Sequence, residues 1–223
     1  MMRVLVIGAS RGLGLEFARQ YRQAGDHVVA TARSDDALAR LRGLGCEAWP
    51  LDLLDAASVA ALGWRLDGQR FDAVIFNAGV YGPRTQGLET PTQDDFDAVM
   101  RTNVLGPMRV LPQLEPVLAQ DAKLMVLSSM MGSIGQRSTS TGWLYRASKA
   151  ALNSVLRDVA LALGPRGITC VAVHPGWVRT DMGGPHASLA PEDSVARLRQ
   201  LLARLRPEDN GHFLHYDGTP IAW

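Results

Sequence analysis

Tyr145 and Lys149 stand four residues apart in the run Tyr145-Arg146-Ala147-Ser148-Lys149. On a helix that spacing puts both side chains on one face, about 5 to 6 Å apart at Cβ. A free tyrosine titrates near about 10 and exchanges protons poorly at neutral pH, but a neighbouring positive charge favours the phenolate. A phenol and an ammonium so placed could together move a proton to or from a carbonyl oxygen. Such pairs also occur on ordinary helix surfaces, where the tyrosine packs and the lysine is solvated. Residue usage argues for chemistry here: of 23 basic residues only Lys123 and Lys149 are lysines. An ammonium adjusts its pKa far more readily than the guanidinium used elsewhere in the chain.

The element that must position this pair is a helix. Ala147, Ala150, Ala151, Leu152, Val155, Leu156, Val159, Ala160 and Leu163 recur at three- and four-residue spacing until Gly164-Pro165 stops them. Before it, residues 123–127 read as a strand ending at Ser128-Ser129, either of which could present a hydroxyl to the pair. Residues 130–143, rich in Gly, Ser and Thr, read as the loop that returns the chain to Tyr145.

At the other end of the chain, the apolar run 3–7 enters Gly8-Ala9-Ser10-Arg11-Gly12-Leu13-Gly14, and Leu13, Phe17, Ala18 and Tyr21 then recur at helical spacing. Strand, glycine turn and helix in that order suit a pyrophosphate. Glycine lets the backbone approach closely, and the free N–H groups at a helix start favour an anion. A second strand over 27–32 delivers Arg33 to its end, where such folds meet the adenosine ribose. An acidic residue there would accept hydrogen bonds from a 2′-hydroxyl, whereas Arg33 can pair with a 2′-phosphate. The reading is therefore NADP rather than NAD, with Ser10 and Arg11 able to contact the same phosphate.

Further along, 35–42 reads as a helix and 46–51 as a strand ending at Asp52-Leu53. Asp52 either bonds adenine or caps the following helix, 56–66. The strand 71–76 runs into Asn77-Ala78-Gly79, small residues that suit close approach of a cofactor. A helical pattern over 93–118 carries Pro107 and Pro112, which should bend it, and Asn103 just before the bend is either a structural plug or part of a proton path. A sixth strand over 168–173 leaves through His174-Pro175-Gly176, followed by a small loop over 182–190, a helix over 191–205 and a last strand over 212–216. The alternation implies an α/β fold with a doubly wound, mostly parallel sheet flanked by helices, in one domain spanning 1–223.

Over essentially its whole length the chain resembles the short-chain dehydrogenase/reductase family, on the blocks Gly8 to Gly14, Asn77-Ala78-Gly79, Asn103, Ser129 with Tyr145 and Lys149, and Pro175-Gly176. The resemblance implies a Rossmann fold and hydride transfer between a nicotinamide cofactor and a carbonyl or alcohol. It makes Tyr145 the acid/base and Lys149 its pKa-lowering partner and ribose contact. Ser129 would polarise the carbonyl and Asn103 would serve a water relay. It assigns Gly8, Gly12 and Gly14 to the pyrophosphate, Asp52 to adenine, Asn77 to the strand edge and Thr180 to the carboxamide. Leu13, Leu53, Ala78, Gly79, Pro175, Gly176 and Val178 join the cofactor set. Three departures from the pattern stand out: Ile7 where a threonine is usual, a long gap from Ser129 to Tyr145, and a short segment after Pro175.

The long loop and the ending Gly211 to Gly218 resemble the branch containing C-factor and related carbonyl reductases. Reduction of an aldehyde or ketone with NADPH is the leading expectation, and an NADP(H)-binding signalling protein of the C-factor kind is the alternative. The short C-terminal part argues against a sugar-nucleotide epimerase. Met130, Trp143, Trp177 and Met182 are candidates for the substrate pocket, and pairing into a homodimer or homotetramer is what the family implies.

Composition closes off other classes. A net charge of +1 with dispersed arginines gives no field for nucleic acid. No apolar run approaches the roughly 20 residues of a membrane span, so a cytoplasmic protein with no membrane partner is expected. Cys46 and Cys170 read as reduced thiols. His212 and His215 alternate across a strand with no acidic or thiol partner, which gives no metal site. His174 reads as a strand-end hydrogen-bonding residue.

Overall fold

The computed structural model describes residues 1–223. Its sheet is built from β1 (Arg3–Ile7), β2 (His27–Ala32), β3 (Glu47–Pro50), β4 (Phe71–Phe76), β5 (Leu118–Leu127), β6 (Thr169–His174) and β7 (Phe213–His215), in the order β3-β2-β1-β4-β5-β6-β7. Every pairing is parallel. Parallel strands need long crossovers, and these are α1 (Gly12–Gln23), α2 (Asp35–Gly43), α3 (Ala56–Leu66), α4 (Gln93–Met100), α5 (Gly106–Leu114), α6 (Trp143–Leu163) and α7 (Pro191–Arg204).

Helices cover both faces of the sheet, which explains why its strands are continuous apolar runs. Leu5 and Ile7 of β1 enter one core with α3, α5 and α6; Val4 and Val6 enter the other with α1, α2 and α7. The strand order reverses between β1 and β4, so the crevice falls at their carboxyl ends, at Gly8 and Asn77.

The expected strands and helices are present, with two differences. The pattern over 93–118 is not one helix. It divides into α4, a π-helical turn (Arg101–Leu105), α5 and a short 3₁₀ turn (Glu115–Val117). Pro107 has no N–H for the ladder, and the Gly106 N–H reaches back five residues to Arg101 O. The other difference is that β5 begins at Leu118 rather than at 123. Leu118 pairs with Phe71, and the register slips before Lys123 meets Ala73 while Asp121 takes a left-handed φ of 61°. No helix is long and apolar enough to cross a membrane.

Candidate active site

The glycine turn is held in shape by neighbours on both sides. Gly8 has a φ of +85° and a Cβ on it would lie 2.8 Å from Ala78, so a side chain there would collide with the end of β4. Its N–H donates to Thr31 Oγ1 at 3.0 Å, and its carbonyl accepts from Asn77 Nδ2 at 2.6 Å. Buried Thr31 thus supplies from β2 a bond to the turn that Ile7, packed in the core, cannot make. Gly14 serves packing rather than lining: a Cβ there would sit 2.1 Å from Gly8 O.

Between the turn and the strand ends lies a crevice of about 430 Å³. Most of the expected cofactor residues line it: Gly8, Ser10, Arg11, Gly12, Leu13, Arg33, Asp52, Leu53, Asn77, Ala78, Gly79, Tyr145, Lys149, Pro175 and Thr180. Gly14, Gly176 and Val178 stand behind its wall. Gly176, with φ +86°, makes room for Leu189 and Tyr216, and Val178 is buried in a bridge to Leu189. Asp52 does not cap α3. Its carboxylate accepts from Leu54 N at 2.9 Å, while Asp55 caps the helix through Ala57 N.

At the inner end, α6 carries Tyr145 and Lys149 on the face that meets the end of β5. Both are buried, at 5% and 4% exposure. Lys149 Nζ donates to Leu127 O at 2.9 Å and lies 5.8 Å from the centre of the Tyr145 ring. Burial pulls the ammonium down to about 8. Burial also raises the Tyr145 phenol above its ordinary value, against an opposing hydrogen-bonding influence of Ser129. Desolvation is the largest influence on the phenol in the chain without cofactor. The phenol O–H faces Met182 Sδ at 3.9 Å.

The two serines after β5 divide their tasks. Ser128 lines the crevice, but its hydroxyl donates to buried Asn153 Oδ1 at 2.5 Å. The Ser129 hydroxyl accepts from Met131 N at 3.2 Å, leaving its own proton for another acceptor on the Tyr145 side. Asn103 is fully buried in the π-helical turn. It accepts from Val80 N and donates to Val80 O, both at 2.8 Å, and donates to Ser148 Oγ at 2.9 Å. Ser148 in turn donates to Tyr145 O at 2.8 Å, so Asn103 ties the segment after β4 to the first turn of α6.

Of the expected pocket residues only Met182 reaches the crevice. Trp143 and Trp177 donate their indole N–H groups to Glu89 O and Gly183 O, and Met130 is 40% exposed. His174 makes no hydrogen bond through its buried Nδ1. Instead its ring meets His215 edge-on at 5.5 Å, and burial, then His215, lowers it to about 4. No group of three potential ligands could hold a metal ion.

Tyr81, Thr31 and Asp181 went unread in the sequence. Tyr81 stacks on Tyr145 with centroids 4.5 Å apart, and Asp181 pairs with Arg11 across the crevice mouth. Tyr81 follows Asn77-Ala78-Gly79 by two residues and was the one signal within reach.

A parallel sheet with a glycine turn at its switch point and a buried tyrosine-lysine pair at its carboxyl edge defines a nucleotide-dependent oxidoreductase. Residues 8–214 match the family described as enoyl-(acyl carrier protein) reductase. The 1-hydroxy-2-glutathionyl-2-methyl-3-butene dehydrogenase of Rhodococcus sp. (strain AD45) is 34% identical over all of both chains. The C-signal protein of Myxococcus xanthus is 41% identical over 68% of this chain and 92% of its own. An NADPH-bound carbonyl reductase from chicken fatty liver superimposes with a TM-score of 0.88 at 30% identity, covering 100% of this chain and 99% of that one. The chain belongs to the short-chain dehydrogenase/reductase family, whose members bind nicotinamide cofactors.

Proposed function

We propose that the chain reduces an aldehyde or ketone with NADPH, with Tyr145 as proton donor. The observation that carries this reading is the joint burial of Tyr145 and Lys149 beside Ser129, at the inner end of a crevice whose outer end holds Arg33 and Arg11. The residues fit a dinucleotide phosphate. Gly8 and Gly12 keep a cradle free of side chains, Arg33 offers its guanidinium to a 2′-phosphate, and Arg11 can join it by exchanging its pairing with Asp181. Bound there, the cofactor supplies the hydride.

The chain's own residues manage the proton and the charge. Ser129 and Tyr145 donate hydrogen bonds to the carbonyl oxygen as negative charge grows on it. Tyr145 then delivers its proton, and Lys149, still largely protonated at neutral pH with a pKa of about 8, stabilises the phenolate left behind. Leu127 O orients Lys149, and the Asn103–Ser148 chain holds the backbone of Tyr145 in place.

Tyr145→Phe should keep NADPH affinity in a fluorescence titration while carbonyl turnover falls roughly 10²- to 10⁴-fold. Retained turnover would sink the assignment. The likeness to C-signal supports a second reading, in which NADP(H) occupancy is a signalling input; normal signalling in cells by Tyr145→Phe would favour it. For the expected pairing of copies we propose α4, α5 and α6, which carry the exposed apolar residues Phe96, Met108 and Leu161, with sedimentation of Met108→Glu as the check.

A further inference from the structure

The surroundings of Tyr81 go beyond the reaction type to the class of substrate. Tyr81 lies against Tyr145, and the Arg84 guanidinium lies over the Tyr81 ring at 5.1 Å from its centre. Arg84 is therefore no farther from the Tyr145 ring than those two stacking distances allow. Arg146 is nine-tenths buried next to Tyr145, bonded to Thr141 O and to Thr139 Oγ1. Its guanidinium feels both Arg137 and the Tyr81 hydroxyl, and a Cβ on Gly142 would touch that same hydroxyl. Two guanidinium groups, of Arg84 and Arg146, thus stand near Tyr81, and a third, of Arg137, stands near Arg146.

Acids do not balance them. The chain's ion pairs engage neither Arg84, Arg137 nor Arg146. Between Ser128 and Arg157 the sequence has no Asp or Glu, and between Tyr81 and Pro91 it has only Glu89. Glu89 turns its carboxylate onto Gln86 N at 3.1 Å. In a chain with 23 basic and 22 acidic residues, this local excess of cations is a built feature. Of the three only Arg146 is held out of water, where a cation without a counter-ion is costly; Arg84 and Arg137 are exposed and free to turn toward an anion brought by a ligand.

We propose that Arg84, backed by Arg146 and Arg137, selects carbonyl substrates that carry an anionic group such as a carboxylate, a proposal that rests on the reductase reading above. The present contacts of Arg84 add a coupling. Its Nη2 donates to Met182 O at 2.8 Å, and Met182 Sδ covers the Tyr145 hydroxyl at 3.9 Å. An anion that recruits Arg84 removes the bond holding Met182 over the phenol. The substrate that satisfies the arginine is thereby the one given access to the proton.

The test compares 4-formylbenzoate with 4-methylbenzaldehyde, near-equal in shape and different in charge, for wild type, Arg84→Gln and Arg84→Lys. Alongside, calorimetry on NADP-loaded protein measures binding of the two corresponding benzyl alcohols. Wild type should prefer the charged member, and Arg84→Gln should lower the ratio of kcat/KM values, and of affinities, by roughly tenfold, the scale of one charge-assisted hydrogen bond. Arg84→Lys should keep most of the preference. A ratio unmoved in Arg84→Gln, or lost equally in Arg84→Lys, overturns the proposal. If wild type reduces neither aldehyde the reductase reading fails, and the affinity ratio decides the anion site by itself.

Discussion

Lys149 and His174 are both bases held below their ordinary range by burial, and each has a pH signature of its own. Lys149 loses its charge as pH rises through about 8, so the rate of carbonyl reduction should be flat below that pH and fall above it. A profile that rises through pH 8 would contradict the role given to Lys149. His174 has a folded pKa of about 4 against an ordinary 6.5, so the unfolded chain binds the extra proton between those values. Stability from His174 is therefore complete above about 6.5 and is lost as pH falls towards 4, by roughly 3 kcal/mol in all. Melting curves should show less acid sensitivity in His174→Gln than in wild type. At the ribose end, Arg33→Asp should shift binding from NADPH towards NADH by tenfold or more, which paired fluorescence titrations would show. Tyr145, Lys149 and Arg33 were legible because side chains four apart on a helix, or at a strand's end, have their place set by local geometry. Which of Ser128 and Ser129 has its hydroxyl engaged depends on Asn153, 25 residues from Ser128, which no local rule connects to it.

The π-helical turn between α4 and α5 is the element on which the site most depends. It exists because Pro107 denies the ladder a donor, and it turns Asn103 inward to hold both backbone groups of Val80. Asn103→Ala leaves those groups and Ser148 Oγ short of partners in a buried place. The expected cost is about 1–3 kcal/mol in denaturant unfolding, together with reduced turnover. The glycine turn makes a parallel case: Gly14→Ala forces a Cβ into the Gly8 carbonyl and should weaken both stability and cofactor binding. In the sequence the bend and its asparagine were visible. The division of 93–118 was not, because a period of 3.6 continues through a π-helical turn with only a small slip.

For the whole molecule, the crevice joins parts drawn from β1, β2, β4, β5, α6 and the segment after β6, so ligand binding must stabilise the fold as a unit. NADPH at a hundred times its dissociation constant should add about 2.7 kcal/mol, or roughly 5 to 10 °C in the melting temperature, and NADH at equal concentration less. The sequence alone determined the seven strands, most of the helices between them and the doubly wound, mostly parallel kind of sheet, because periodicity, glycine turns and proline stops act over a few residues; the strand order came from the folded chain. It also placed Tyr145, Lys149, Arg11 and Arg33 at one sheet edge, since strand ends in such a sheet share that edge. Tertiary structure decided what those residues meet: Tyr81 against the phenol, Thr31 under the glycine turn, the tryptophans turned to loop carbonyls and His174 paired with His215. Burial also pushes the phenol upward in the chain without cofactor, because desolvation depends on everything packed around a group, and the chain reveals that only when folded.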